Sequence, residues 1–438
     1  MRSAAVIYSI LCCILVNMYV VLKAAPWVLI LMIPLYLFIL LFAGLFAVPA
    51  ESKRLRLCYH GAVLLISFRN SMLCSLIWQG MLAFALLPEQ PWVLLWSVLF
   101  CAGLEYLLFW CGILCVYFTS VQLGVKLRLI GLIFGMVPIV NLLVLNKMIR
   151  TVFREVRTEY EKEVLNKSRV DQKLCQTKYP ILMVHGVFFR DSRYFNYWGR
   201  IPQELERNGA SVYYGNHQSA ASIEESATEL AQRIKNLVTE LGCEKVNIIA
   251  HSKGGLDCRY ALEALDVAPF VASLTTINTP HRGCIFADHL LTVISPKVRE
   301  QVASAYNRTL KKLGDSSPDF LAAVTQLTAS YCDEFNPKTP LPEGVYCQSV
   351  GSVLSKARGG KFPLNFSYHI VRHYDGENDG LVGERSFSWG ERYICLRSKS
   401  RRGISHGDMI DLNRENFDGF DVREFYVELV NDLKNRGL

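Results

Sequence analysis

"KVNIIAHSKGGLDCRYAL" (245–262) runs from an apolar, strand-like segment into a helix-like one, with Ser252 at the junction. "KVNIIA" has the length and the branched residues of a buried strand, and "GGLDCRYALEAL" (254–265) reads as a helix. A sharp turn between the two pushes a serine hydroxyl out above a sheet and aims a helix N-terminus at its surroundings. Small residues flank such a serine because two backbones crowd there. Here the pattern is Ala250-His251-Ser252-Lys253-Gly254, with alanine at the first small position. Alone the pattern is a common accident; between a strand and a helix it has mechanical meaning.

Outward from this turn, strand-like and helix-like segments alternate. "YPILMVHG" (179–186), "SVYYG" (211–215), "VASLTTINTP" (271–280) and "GVYCQSVGSV" (344–353) read as strands. "SIEESATELAQRIKNLVTELG" (222–242) reads as a helix. Ser222 and Glu225 form a capping box, Ile223, Ala227, Leu230, Ile234 and Leu237 share one face, and Gly242 stops it. The alternation predicts an α/β fold with a mainly parallel sheet.

A serine hydroxyl becomes a nucleophile only with a base, a group that orients the base, and donors for an oxyanion. His185-Gly186 follows the first strand, where a second donor is expected, so the backbone N–H groups of Val187 and Lys253 are the candidates. "DGENDGLVG" (375–383) supplies Asp375 and Asp379 in one glycine-rich loop, and spacing alone does not choose between them. "ISHGDMID" (404–411) supplies His406. The order Ser252, Asp379, His406 matches the serine–acid–histidine order of enzymes that carry their serine on such a turn. His251, inside the turn, and His281, in "TPHRG", read as structural. Residues 284–343 are long for a connection and partly helical, which suits a cap or lid over an apolar acyl site, or else helices packed on the sheet.

The first third of the 438 residues is different in kind. Apolar stretches at about 4–22, 27–49, 61–87 and 91–122 reach the ~20 residues a bilayer core requires. Trp27 and Trp92 sit at their edges, as interfacial anchors do. A cleaved signal peptide is disfavoured, because a second apolar run follows directly after Lys23-Ala24-Ala25-Pro26. Arg69 and Glu105, inside the spans, read as helix-pairing groups. "LIGLIFGMVPIVNLLVL" (129–145), broken by glycines and Pro138, either crosses or lies re-entrant. Residues 147–170 carry Ile149, Val152, Val156, Tyr160 and Val164 at helical spacing, the pattern of an amphipathic or solvated helix. The expected organisation is a multi-span region at 1–146, a juxtamembrane helix and linker at 147–177, and an α/β domain at 178–438.

Charge follows the same division. Lysines and arginines outnumber acids eight to three in 1–146 and nine to five in 147–178, whereas the remainder has thirty against thirty-one. The formal +8 therefore belongs to the membrane side, and nucleic-acid binding is not indicated. With four spans the basic groups gather on one side, which leans the α/β domain toward the cytoplasm. Seven of the fourteen cysteines follow residue 146, an odd number unlike a secreted disulfide framework, and no CxxC pair suggests zinc.

"YPILMVHG", "YWGRIPQELERNGASVYY", "VNIIAHSKGGLDCRYA", "TTINTPHRG", "ENDGLVG" and "SHGDMID" together resemble the bacterial triacylglycerol lipases of the Pseudomonas, Burkholderia and clostridial type, in family order across 178–438. The chain is similar, more distantly, to the inositol-deacylase-like branch of the same fold. The resemblance implies an α/β-hydrolase fold with helices on both sheet faces and a helical lid insertion at about 284–343, preceded here by an all-α transmembrane region. It implies a triad of Ser252, Asp379 and His406, with Val187 and Lys253 at the oxyanion positions. Such lipases hold a structural calcium; Asp408 matches one ligand position, but no aspartate lies between Asp333 and Asp375, so no metal or other cofactor is expected. The expected function is a membrane-anchored serine carboxylester hydrolase acting on lipid esters at a bilayer. The alternatives are acyl transfer or deacylation on the same triad, and an inactive hydrolase-fold scaffold.

Overall fold

Hydropathy is nearly continuous through the first third of the chain, yet the helices it forms are unequal. A computed structural model describes every residue except 1, 49, 136, 138, 188–195, 313, 314 and 316, and the chain divides into two units, Met1–Lys167 and Ser168–Leu438. The first seven helices are α1 (Arg2–Leu15), α2 (Tyr19–Ala24), α3 (Leu29–Phe42), α4 (Lys53–Leu86), α5 (Pro91–Thr119), α6 (Gly124–Phe134) and α7 (Val140–Arg169). Among the described residues, only α4 and α5 are long and apolar enough to cross a membrane. The 34 residues of α4 extend ~51 Å at ~1.5 Å each.

The four-span expectation is corrected accordingly. The stretch at 4–22 breaks between Leu15 and Tyr19, and the stretch at 27–49 yields a helix of 14 residues with Pro34 inside. The segment 129–145 divides as well, between Phe134 and Val140, with Ile139 at a φ of 66° that a β-branched residue seldom adopts.

Within the first unit large apolar side chains lie both in the core and on the outside. The contact between α4 and α5 buries Gly61, Ser67, Ser71, Ser97 and Gly112, while Phe84 and Phe118 stand 91% and 84% exposed. Small buried residues let helix backbones approach closely, and large apolar side chains face outward. Arg69 joins α4 to α7 through Asn146 at 2.9 Å, the helix-pairing role expected of it, and Glu105 is buried on α5.

The second unit is built on six parallel strands: β1 (Ile181–Val184), β2 (Val212–Tyr214), β3 (Val246–His251), β4 (Val271–Ile277), β5 (Tyr346–Ser352) and β6 (Arg392–Leu396), in the order β2-β1-β3-β4-β5-β6. Its helices are α8 (Ile201–Arg207), α9 (Ile223–Leu241), α10 (Lys253–Ala264), α11 (Ile285–Val293), α12 (Pro296–Lys312), α13 (Phe320–Thr325), α14 (Ala329–Phe335), α15 (Leu364–Asp375) and α16 (Val422–Asn435). Successive strand residues serve opposite faces. Ile181, Met183 and Ile249 pack with Ile201 and Leu205 of α8 and Tyr426 and Val430 of α16. Leu182, Val184, Ile248 and Ala250 pack with Leu230 and Ile234 of α9 and Ala261 of α10. Both faces being covered, the strands read as unbroken apolar runs. Each large aliphatic side chain buried this way contributes about 1.5–3 kcal/mol.

Residues 168–177 fall within this unit: Cys175 is buried among the α8–α16 cluster, and Cys175 N–H donates to the Asn208 carbonyl at 2.9 Å. α9 has the expected ends, with Ser222 Oγ accepting from Glu225 N–H at 3.2 Å and Gly242 left-handed at φ 60°. The insertion holding α11–α14 is tied to loops at the C-terminal rim of the sheet. Gln326 accepts from Ile223 N–H, and Asp315 accepts from Ser219 N–H.

Candidate active site

In a parallel sheet the ligand crevice lies outside the carboxyl ends of the strands, where consecutive connections leave in opposite directions. β1 and β3 flank that point here, and Ser252 directly follows β3. Its backbone sits at φ 54°, ψ −130°, a conformation that costs a non-glycine residue about 1–3 kcal/mol and persists only when its surroundings enforce it. They do: Ser252 N–H donates to the Ile277 carbonyl at 2.9 Å, and α10 starts at the next residue. Gly254 is required by the same crowding, because a β-carbon there would collide with the His185 carbonyl oxygen.

His406 and Asp379 meet at this end of the sheet. His406 Nδ1 donates to Asp379 Oδ2 at 2.6 Å, which leaves Nε2 as the acceptor on the other side of the ring. Asp379 is fully buried; its Oδ1 accepts from the N–H groups of Leu381 and Val382 at 2.9 and 2.8 Å. The loop that carries the acid therefore also fixes its direction. The His406 ring lies 4.5 Å, centroid to centroid, from that of His251, the residue preceding Ser252. Ser252 and His406 are each 7% exposed.

Asp375 has another task. Its two oxygens accept from Ile285 and Phe286 N–H at 2.9 and 3.0 Å, capping the first turn of α11. The choice that spacing left open between the two aspartates is thus made by partners: one holds the histidine, the other an insertion helix.

The two oxyanion candidates sit on opposite sides of the serine. A β-carbon on Gly186 would come within 2.8 Å of Ser252 Cβ, so the loop carrying the buried Val187 passes directly against the turn. Lys253 is the first residue of α10, where backbone N–H groups have no partner within the helix. Its side chain points away from the crevice: Nζ donates to Asp257 Oδ1 at 2.6 Å and Ser226 Oγ at 3.1 Å, and is almost fully buried. Burial pushes the Asp257 carboxyl up to about 6, although Lys253 pulls the other way.

Two contributors carried no sequence signal. Gly186 N–H donates to the Tyr197 hydroxyl at 3.1 Å, and that hydroxyl donates to His251 Nδ1 at 2.7 Å. Burial, and then the neighbouring His406, holds His251 well below the usual histidine range, so it accepts as a neutral ring. Tyr197 thus joins the loop beside Val187 to the residue whose ring lies against that of His406. Asn278, at the end of β4 with φ 47°, donates from Nδ2 to Asp379 Oδ2 at 2.5 Å. An asparagine at a strand end tolerates that left-handed turn, which is the sole trace it leaves in the sequence. His281 is structural as read: it is buried, stacks 4.8 Å from Trp389 and meets Thr276 Oγ1 at 2.9 Å.

A calcium at Asp408 does not fit these residues. Arg402 holds both Asp408 oxygens at 2.9 and 3.0 Å, and Ser405 donates to the same carboxylate. The guanidinium supplies the positive charge there. Among the described residues no three His, Cys, Asp or Glu side chains converge.

The family described as palmitoyl protein thioesterase matches residues 180–326. A triacylglycerol lipase of Vibrio cholerae is 36% identical over 294 residues, covering 61% of this chain and 91% of that protein. Triacylglycerol lipase 2 of Saccharomyces cerevisiae is 28% identical, covering 56% of this chain and 77% of its own length. The mature form of a Bacillus licheniformis lipase, known from its crystal structure, aligns over 58% of this chain and 92% of its own at 21% identity with a TM-score of 0.44.

Proposed function

Because the chain belongs to the lipase and esterase family of α/β-hydrolases, we propose that it is a membrane-anchored serine hydrolase cleaving lipid acyl esters through Ser252, His406 and Asp379. Carboxylic ester hydrolysis is the activity of the family. The observation that supports the assignment to residues is one end of the sheet, where a strained serine follows β3 and the ring of the residue before it lies 4.5 Å from a histidine held by a buried aspartate.

Ser252 Oγ attacks the ester carbonyl carbon while His406 Nε2 takes its proton. Asp379 keeps the imidazole in the tautomer that accepts at Nε2 and stabilises the imidazolium that forms. The N–H groups of Val187 and Lys253 receive the oxyanion; a donor of this kind is worth about 10²–10³ in rate. The tetrahedral intermediate collapses, the alkoxide leaves with the proton from His406, and an acyl-serine remains. Water, deprotonated by the same histidine, then releases the acid and regenerates Ser252.

The first unit supports a bilayer-resident substrate. Its outward faces are apolar, and glycines and serines are buried among the apolar residues where its helices meet, as in helices packed in lipid. An anchored hydrolase meets its substrate at the lipid surface without a soluble carrier.

Fluorophosphonate labelling of the purified protein tests the assignment, with Ser252→Ala as control. The wild type is expected to label and to hydrolyse a chromogenic acyl ester; the variant is expected to do neither while unfolding at the same temperature. Hydrolysis by folded Ser252→Ala would overturn it. The match of 180–326 to a thioesterase family favours a second reading, acyl thioesters. Paired oxygen and sulfur esters of one acyl chain separate the two by kcat/KM.

A further inference from the structure

The first unit contains a cavity of about 780 Å³ between α4, α5, α6 and α7. Its walls are mostly apolar, formed by Phe68, Phe109, Trp110, Leu132 and Leu145 among others. That volume lies within the ~300–1,000 Å³ of sites that enclose one small ligand.

One wall residue is out of keeping with the rest. Arg128 places a guanidinium in the lining. A single nitrogen of that group donates to the Ser120 carbonyl at 2.5 Å, and Nε has no acceptor within the protein. The nearby carboxylate, Glu155, is already engaged: it accepts from Arg54 at 2.6 Å, from Ser120 Oγ at 2.5 Å and from the N–H groups of Val121 and Gln122. Among the described residues no acid pairs with Arg128. A cation at the edge of an apolar enclosure is costly unless a counter-charge joins it. The backbone around it is fixed, since Tyr117 Oη donates to the Arg128 carbonyl at 3.0 Å and a β-carbon on Gly131 would strike that same hydroxyl.

We propose that this cavity binds a free long-chain fatty acid, its carboxylate on Arg128 and its chain along the aromatic and aliphatic walls. One planar guanidinium matches one carboxylate in charge and in fork geometry. A two-chain phospholipid is larger than the space. The choice of acid rests on the esterase reading above, in which the second unit releases acids of this class. The site is then a product-binding site in the anchor, apart from the residues that do the chemistry.

The test uses the full-length protein in detergent micelles and a diazirine-bearing palmitic acid. After irradiation, label is expected on peptides within 124–148, displaced by unlabelled palmitate. Arg128→Gln is expected to weaken labelling about tenfold, the loss of one charge-assisted hydrogen bond, and Arg128→Lys to restore part of it. Leu132→Trp, which fills the space and leaves the cation intact, is expected to abolish it. Ser252→Ala is expected to label as the wild type does, because the acid is supplied preformed; labelling here together with failed fluorophosphonate reaction would sink only the esterase reading. Undiminished labelling of both Arg128→Gln and Leu132→Trp overturns the proposal. So does equal labelling by a diazirine phosphatidic acid or a neutral diazirine acylglycerol, which would mean bilayer lipid fills the groove.

Discussion

At Asp379 and Asp375 two chemically identical side chains, four positions apart, are given different work by their neighbours. Asp379 bonds to His406 and Asn278, whereas Asp375 accepts from the first N–H groups of α11. Asp379→Asn is expected to keep the fold and cut kcat by about 10⁴, the scale seen when the acid of such a triad becomes an amide. Asp375→Asn is expected to leave kcat within a few-fold and to lower the melting temperature through the weakened α11 cap, by about 1 kcal/mol. Steady-state kinetics and thermal unfolding of both variants check this; a crippled Asp375→Asn beside a mild Asp379→Asn would reverse the roles. Ser252 and His406 were readable because each lies in a local pattern of small residues and turns. Tyr197 and Asn278 were not, since each acts through one tertiary contact that no spacing along the chain encodes.

At the scale of elements, the first turn of α10 carries both the serine's successor and a buried ion pair. Lys253 and Asp257 lie one helical turn apart, and Lys253 also reaches Ser226 of α9. With the Asp257 carboxyl raised to about 6 by burial, the folded protein holds a proton there that the unfolded chain has given up. The group's stabilising contribution is thus complete below about pH 4 and is lost as pH rises toward 6. The wild type is expected to lose stability relative to Asp257→Asn across that window, with no further change above it. Denaturant unfolding of both proteins from pH 4 to 7 measures the difference; a constant gap would contradict it. The same pair ties down the first turn of α10, which carries the Lys253 N–H proposed above for the oxyanion. The strands around this helix were legible because burial on both faces leaves uninterrupted apolar runs. The breaks after Leu15 and Phe134 were not, because hydropathy runs on across them while the helical backbone does not.

Across the whole molecule, charge and helix length combine into an orientation. If α4 and α5 both cross, Lys53, Arg54 and Arg56 in the first turns of α4 share a side with Lys126 and Arg128 after α5, and the "PEQP" turn between the two helices faces the other way. We expect the hydrolase unit on the cytoplasmic side, by the bias of basic residues toward that face. An exposed cysteine introduced into this unit should resist a membrane-impermeant maleimide until the cells are lysed; labelling of intact cells would place it outside. The spacing of the site along the chain has a consequence in time. The helices for the bilayer are translated first, Ser252 later on β3, and His406 later still, after β6. Chains fold from the N-terminus as they are made, so a tethered, half-synthesised protein already lies against lipid with its nucleophile in place and no base to activate it. On the proposed triad, a translation product cut short before residue 406 is expected not to react with a fluorophosphonate.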